Sequence, residues 1–211
     1  MNFLLFTFYF LLLLSPPQKV VDQILTLVNG ELITRTDLIW SLALDAKAPN
    51  PAGGVSRDIM QQKIDVMIDE RLISQEAARL PSAEITREEI NKKRAELIKL
   101  FPSEAVFRER IEAVGLTADK LDEILRGRIA IEKYIEFRFK SFVFVTDDEV
   151  AQYYFEKLVP AVKARGAVPP TIDKVSAEIR ELLKAEKVET EIDAWLTSAR
   201  QRAEIVHLAE P

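Results

Sequence analysis

The longest uninterrupted helical pattern of the sequence runs from about Thr171 to Ala203. A helix of that length extends roughly 50 Å at about 1.5 Å per residue. Apolar residues recur along it at helical spacing and mark one face: Ile172, Val175, Ile179, Leu182, Ala185, Val188, Ile192, Trp195 and Ala199. Because a single apolar stripe cannot bury itself, other helices must cover it. The sequence therefore predicts several helices that share a core.

Hydroxyl residues mark further helix starts along the middle of the chain, at Thr34, Thr86, Thr117 and Thr146. Thr86 and Thr146 are each followed three residues later by glutamate, which is the capping-box pattern. Only 6 of the 211 residues are glycine, which argues against a turn-dense all-β protein. A charged fraction of 30% fits a mainly helical chain.

Two short β-prone segments lie near opposite ends of the chain. Asn29-Gly30 separates two apolar runs, and this dipeptide favours the positive φ angles of a type I′ hairpin turn. Residues 204–208 form a short terminal strand pattern. Because an isolated hairpin is marginally stable in water, we predict that this strand pairs with the hairpin around Ile205. The expected fold is mainly α, with a small N-terminal β-hairpin joined by a C-terminal strand.

The first residues are uncharged and almost wholly apolar from Phe3 to Leu14. A helix of this length spans roughly 18 Å, well short of the ~30 Å hydrocarbon core of a membrane. We therefore expect residues 1–17 to be a signal peptide for export, and an uncleaved inner-membrane anchor is the alternative. The expected organisation continues with a helical core over residues 18–170 and a closing helix and strand over residues 171–211, which pack back on that core.

Few residues could support catalysis. The chain has no cysteine and a single histidine, His207, so thiol chemistry is excluded and histidine-based metal sites or triads have little to build on. Acidic clusters such as Asp147-Asp148-Glu149 fall at helix starts, where they stabilise the helix dipole. A net charge of −5 gives no general attraction to nucleic acid. We expect no enzymatic activity, no metal and no cofactor.

The aromatic residues are unevenly distributed. Every phenylalanine outside the N-terminal segment lies between Phe101 and Phe155. Four candidates cluster together: Phe137, Phe139, Phe142 and Phe144. The alternation at the end of this run predicts a short extended stretch with aromatic rings on one face. Two interpretations remain open, namely packing within the core or an apolar surface for unfolded chains or a partner.

Five segments, in this order, resemble the SurA-like family of periplasmic chaperones. They correspond to the opening hairpin, the helix that follows it, the start of the next helix, the segment that leads into the isomerase domain, and the closing helix and strand. In this sequence they are residues 21–34, 62–77, 85–90, 145–154 and 179–206.

The resemblance implies an ATP-independent periplasmic holdase that binds unfolded polypeptides, including outer-membrane protein precursors. In that family a parvulin-type prolyl isomerase domain separates the fourth segment from the fifth, whereas here only residues 155–170 separate Tyr154 from Thr171. We therefore do not expect this protein to have the isomerase activity of that family. A non-catalytic accessory module that self-associates as a homodimer, or that pairs with a separate isomerase, is the alternative.

Overall fold

The computed structural model describes residues 22–80 and 84–211. The expected signal peptide, residues 1–17, lies outside the described residues. The strands are β1 (Ile24–Val28), β2 (Glu31–Thr34) and β3 (Ile205–His207). The helices are α1 (Arg35–Ala43), α2 (Arg57–Ala77), α3 (Arg87–Ile98), α4 (Glu104–Glu112), α5 (Ala118–Arg138), α6 (Asp147–Tyr153), α7 (Val159–Ala164) and α8 (Ile172–Arg202). The mainly α fold predicted from the sequence is confirmed.

The three strands form one antiparallel sheet in the order β2-β1-β3. Asn29 and Gly30 both have positive φ angles, of 50° and 85°, as a type I′ turn requires. The terminal strand pairs with β1, and its residue Ile205 lies opposite Val28. The predicted pairing of the N-terminal hairpin with the C-terminal strand is therefore confirmed.

The predicted helix starts are also confirmed. Thr86 and Thr146 form complete capping boxes, in which the threonine hydroxyl accepts from a backbone N–H and the glutamate accepts from the threonine N–H. Thr34 forms a third box with Asp37, and the hydroxyl of Thr117 accepts from the Lys120 N–H. These caps satisfy backbone donors that a helix leaves free at its N-terminus, so the helix starts are fixed locally.

Two hydrophobic clusters organise the first two thirds of the described chain. The first lies between the sheet, α1 and α2, and it contains the fully buried Leu25, Leu38 and Ile68. The second lies between α3, α4 and α5, around Ile90 and Leu125. The amphipathic helices thus bury their apolar faces against one another, and α2 also packs against α5 and α8, which are distant in the sequence.

Helix α8 packs on different partners along its length. Ile179 packs with Val150 and Tyr154 at the start of α8, Val188 packs in a cluster with residues of α2 and α5, and Ala199 joins the cluster under the sheet. The expectation that other helices cover this stripe is confirmed. Leu182 and Ala185, however, are exposed, although they belong to the predicted face. The buried face changes along the helix because its partners lie on different sides of it.

The loop after α1 is held by the buried side chain of Arg110 on α4. Its Nη2 lies 2.7–2.9 Å from the carbonyl oxygens of Leu42, Asp45, Ala48 and Pro49. Burial lowers the pKa of Arg110 from its usual value, but a guanidinium stays charged in proteins. The guanidinium therefore binds the carbonyls of Ala48 and Pro49 and gives a second donor to those of Leu42 and Asp45, which also accept from backbone N–H groups, and it connects the two clusters.

We predict that deletion of residues 204–211 lowers the melting temperature. The deletion removes the hydrogen bonds between β3 and β1, together with those from Asn29 N to Glu204 O and from Leu208 N to Leu25 O. At about 1 kcal/mol for each net hydrogen bond, a loss of about 3 kcal/mol corresponds to a decrease of roughly 6–12 °C. Differential scanning calorimetry measures this shift. Deletion of residues 210–211 alone is the control, and an unchanged melt of the longer deletion would contradict the prediction.

Candidate functional site

The four candidate phenylalanines lie where α5 ends and the chain turns toward α6. Phe137 is in the last turn of α5, and a 3₁₀ turn, Lys140–Phe142, follows the helix directly. The expected extended stretch is therefore wrong for Phe142, which lies in this turn, while Val143 has an extended conformation. The rings are consequently distributed around the turn rather than aligned on one face of a strand.

Phe139 belongs to the core. Only 4% of its surface is exposed, and its ring packs edge-on against Tyr134 and Trp195 with ring centroids 6.2 and 6.1 Å apart. The inclusion of Phe139 among the surface candidates is therefore corrected. The reason is that the end of α5 directs this ring between α2, α5 and α8, where an aromatic side chain buries a large area.

The other three candidates are exposed to solvent. The exposed fractions are 58% for Phe137, 69% for Phe142 and 78% for Phe144. Phe155, which the sequence analysis did not single out, is also exposed. Single exposed apolar residues are common on proteins, but aromatic rings close together in sequence and this accessible indicate a surface that can bind apolar material.

Phe142 and Phe144 line one wall of a groove whose other wall is α8. The groove has a volume of about 620 Å³. Its apolar part comprises Phe142, Val143, Phe144 and the half-buried Leu183, and its polar part comprises Glu186, Lys187, Thr190 and Glu191. The lining therefore joins residues that are about 40 positions apart in the sequence, so it depends on how the chain after α5 is held against α8.

Two cations of α8 hold this part of the chain. The Nζ of Lys187 donates to the carbonyl oxygen of Phe144 at 3.0 Å and pairs with the Glu149 carboxylate at 2.6 Å. Arg180 donates to the carbonyl oxygen of Val145 at 2.8 Å and to the Asp147 carboxylate at 2.7 Å. The backbone behind the exposed rings is thus fixed, and ring presentation does not require a disordered loop.

Near the groove, the pKa of the Glu149 carboxylate differs most from its ordinary value. The hydrogen bond from Lys187, followed by that from the Thr146 backbone N–H, lowers the pKa of Glu149 to about 2. The group is therefore charged at neutral pH, where it serves both the capping box of α6 and the pair with Lys187.

The remaining titratable side chains were candidates for metal binding. Among residues 22–80 and 84–211, no group of three or more histidine, aspartate or glutamate side chains converges as a set of metal ligands. His207 lies on β3, where its Nδ1 is 3.3 Å from the hydroxyl oxygen of Thr26. Within the same ranges no helix is both long and apolar enough to cross a membrane.

The connection between Tyr154 and Thr171 is short and closed. It consists of a π-helical turn, Tyr154–Leu158, then α7 and a loop that contains Gly166 with a φ of 73°. The Tyr154 hydroxyl donates to the carbonyl oxygen of Pro170 at 2.7 Å, so the connection ends beside the residue from which it starts. Helices α6 and α8 therefore pack against each other, although the π-helical turn, α7 and a loop separate them in the sequence.

Long helices around a small sheet, with exposed aromatic rings beside a groove, define a helical scaffold. No known protein-family profile matches the chain. Among curated proteins, the chain is 22% identical over 201 residues to "Chaperone SurA" of Cupriavidus pinatubonensis, covering 91% of this chain and 40% of that protein. It is 25% identical over 206 residues to "Foldase protein PrsA" of Clostridium botulinum, covering 90% of this chain and 60% of that protein.

These relatives confirm the resemblance to the SurA-like chaperones and extend it to PrsA. The chain spans two fifths to three fifths of the length of these relatives.

We predict that the pair between Glu149 and Lys187 makes stability depend on pH. The folded pKa of Glu149 is about 2 against an ordinary value of 4.5, so the pair stabilises fully above pH 4.5 and this stabilisation is lost as pH falls toward 2. Glu149→Gln, which keeps a capping residue but removes the charge, should be less stable than the natural protein at pH 7. The difference should shrink between pH 4.5 and 2.

Urea unfolding at pH 7, 4.5, 3 and 2 measures this difference. Glu189→Gln removes an exposed charge of α8 that makes no ion pair with any described residue, and it serves as the control. A difference between Glu149→Gln and the natural protein that stays constant over this range would contradict the prediction.

Proposed function

We propose that this protein is an ATP-independent chaperone, a holdase that binds unfolded polypeptide segments at its exposed aromatic surface. The observation that carries the proposal is the exposure of Phe137 at the end of α5 and of Phe142 and Phe144, whose segment Lys187 and Arg180 hold against α8 through the Phe144 and Val145 carbonyls. The names of the relatives, chaperone and foldase, support the same class of activity.

Holdase activity needs no reacting group. A chaperone that binds unfolded chains lowers their free concentration and so slows aggregation by mass action. Each aromatic ring can bury about 150–250 Å², which corresponds to about 4–6 kcal/mol at about 25 cal/mol per Å² before the costs of association. Because association itself costs at least about 4 kcal/mol, two such contacts correspond to millimolar to micromolar affinity, and a few of them give micromolar affinity.

The N-terminal segment supports a proposal for the cellular location of the protein. Residues 1–17 have the length and apolar character of a signal peptide, so we propose export to a periplasmic space, where precursors of outer-membrane proteins are the clients that the family resemblance implies. N-terminal sequencing of the protein from fractionated cells tests this. We expect a periplasmic chain that starts near Gln18, and a full-length chain in the membrane fraction would instead indicate an anchor.

We predict that the protein does not accelerate prolyl isomerisation. The connection between Tyr154 and Thr171 holds only a π-helical turn, α7 and a short loop at the position where the family resemblance would insert an isomerase domain. The measurement is the rate of cis-to-trans conversion in a proline-containing peptide, with and without the protein. A rate above that of buffer alone would contradict this prediction.

We predict that the double variant Phe142→Ser/Phe144→Ser loses most of its ability to suppress aggregation. Both rings are largely exposed, so their removal should cost binding area without a large loss of folding stability. The measurement is light scattering of an unfolded β-barrel protein diluted from urea, at several ratios of chaperone to client.

The matched control is Leu100→Ser, which removes an apolar side chain with the same exposed fraction as Phe142, 69%, at the end of α3. Calorimetry of each variant separates binding from folding. Unchanged suppression by the double variant, or a collapse of its melt, contradicts a client-binding role for the two rings. A concentration-dependent dimer that the double variant abolishes would favour the accessory module that self-associates.

A further inference from the structure

Two glutamates give the rim of the groove beside Phe142 and Phe144 a negative charge. Glu186 and Glu191 are exposed residues of α8, and neither makes an ion pair with any described residue. Lys187 lies between them in sequence and is the basic residue of the lining.

The positive charge of Lys187 is already engaged. Its Nζ contacts the Glu149 carboxylate at 2.6 Å and the Phe144 carbonyl oxygen at 3.0 Å. A bound ligand would have to break both contacts to use this ammonium. The groove therefore presents two available carboxylates and an apolar floor.

From this arrangement we propose that the groove selects unfolded segments in which apolar side chains are flanked by lysine or arginine. The proposal rests on the chaperone function above and specifies the clients of that same surface. The apolar side chains contact Phe142, Phe144 and Leu183, and the flanking cations lie near Glu186 and Glu191. A segment with acidic flanks contacts the same floor but is repelled at the rim.

The size of this preference follows from the exposure of the two carboxylates. Ion pairs at exposed positions contribute about 0.2–1 kcal/mol each, and two of them correspond to about a two- to thirtyfold difference in affinity. Salt screens such pairs, with a Debye length of about 10 Å at 0.1 M and about 3 Å at 1 M. Affinity for the apolar core should respond much less to salt, so the two contributions are separable.

Two fluorescein-labelled peptides of equal length provide the test. Both contain the same apolar core of leucine, isoleucine, phenylalanine and valine, flanked on each side by two lysines in one peptide and by two glutamates in the other. Fluorescence anisotropy gives the dissociation constants for the full chain in 20 mM and in 1 M sodium chloride. We expect the lysine-flanked peptide to bind at least about twofold more tightly at low salt, and the difference to disappear at high salt.

The variant Glu186→Gln/Glu191→Gln should remove the preference between the two peptides. The matched control, Glu181→Gln/Glu189→Gln, makes the same change of charge at exposed positions of α8 that do not line the groove, and it should retain most of the preference. This control separates the groove from the net charge of the protein.

The possible outcomes distinguish failure of this inference from failure of the proposed function. Equal affinity for both peptides at low salt, or a preference that Glu186→Gln/Glu191→Gln leaves unchanged, overturns the inference while the chaperone function stands. Failure to bind either peptide together with failure to suppress aggregation overturns the proposed function as well. A dimer that excludes both peptides would assign the groove to a second copy of this chain and also overturns the inference.

Discussion

The burial of α8 is the constraint on which the rest of the architecture depends. At 31 residues the helix is about 46 Å long, and it contributes Ile179, Val188 and Ala199 to three separate clusters. The sheet, the ends of α2 and α5, and the start of α6 are each covered by a different part of it. These elements pack into one unit because α8 contributes side chains to the core of each.

The same helix explains how exposed aromatic rings are compatible with a stable fold. The chain after α5 is attached to α8 through the contacts of Lys187 and Arg180, and the buried rings of Phe139 and Tyr134 pack beside it. Removing a buried phenylalanine typically costs about 3–5 kcal/mol, so Phe139 contributes substantially to holding the segment. Phe142 and Phe144 are therefore not needed for the core.

Sequence reasoning succeeded where local chemistry decides the structure. A threonine followed by an acid fixes a helix start, and Asn29-Gly30 fixes a turn, because the atoms involved are within a few residues of each other. It failed for Phe139, because the direction of that ring depends on where α5 ends relative to α8. The groove was also not predictable, since Phe144 and Glu191 meet only through the packing of α8.

The contact between the Tyr154 hydroxyl and the Pro170 carbonyl has a consequence for how such a chain can diversify. Because the Tyr154 side chain reaches the Pro170 carbonyl, residues 154 and 170 lie within the reach of one tyrosine side chain. Additional sequence can be inserted there without separating α6 from α8, and the entropy of closing a longer loop grows only slowly with its length. An insertion in the loop at residues 165–170, which follows α7, would therefore lengthen the connection without displacing Leu158 and Val159, which pack against the cluster around Val150.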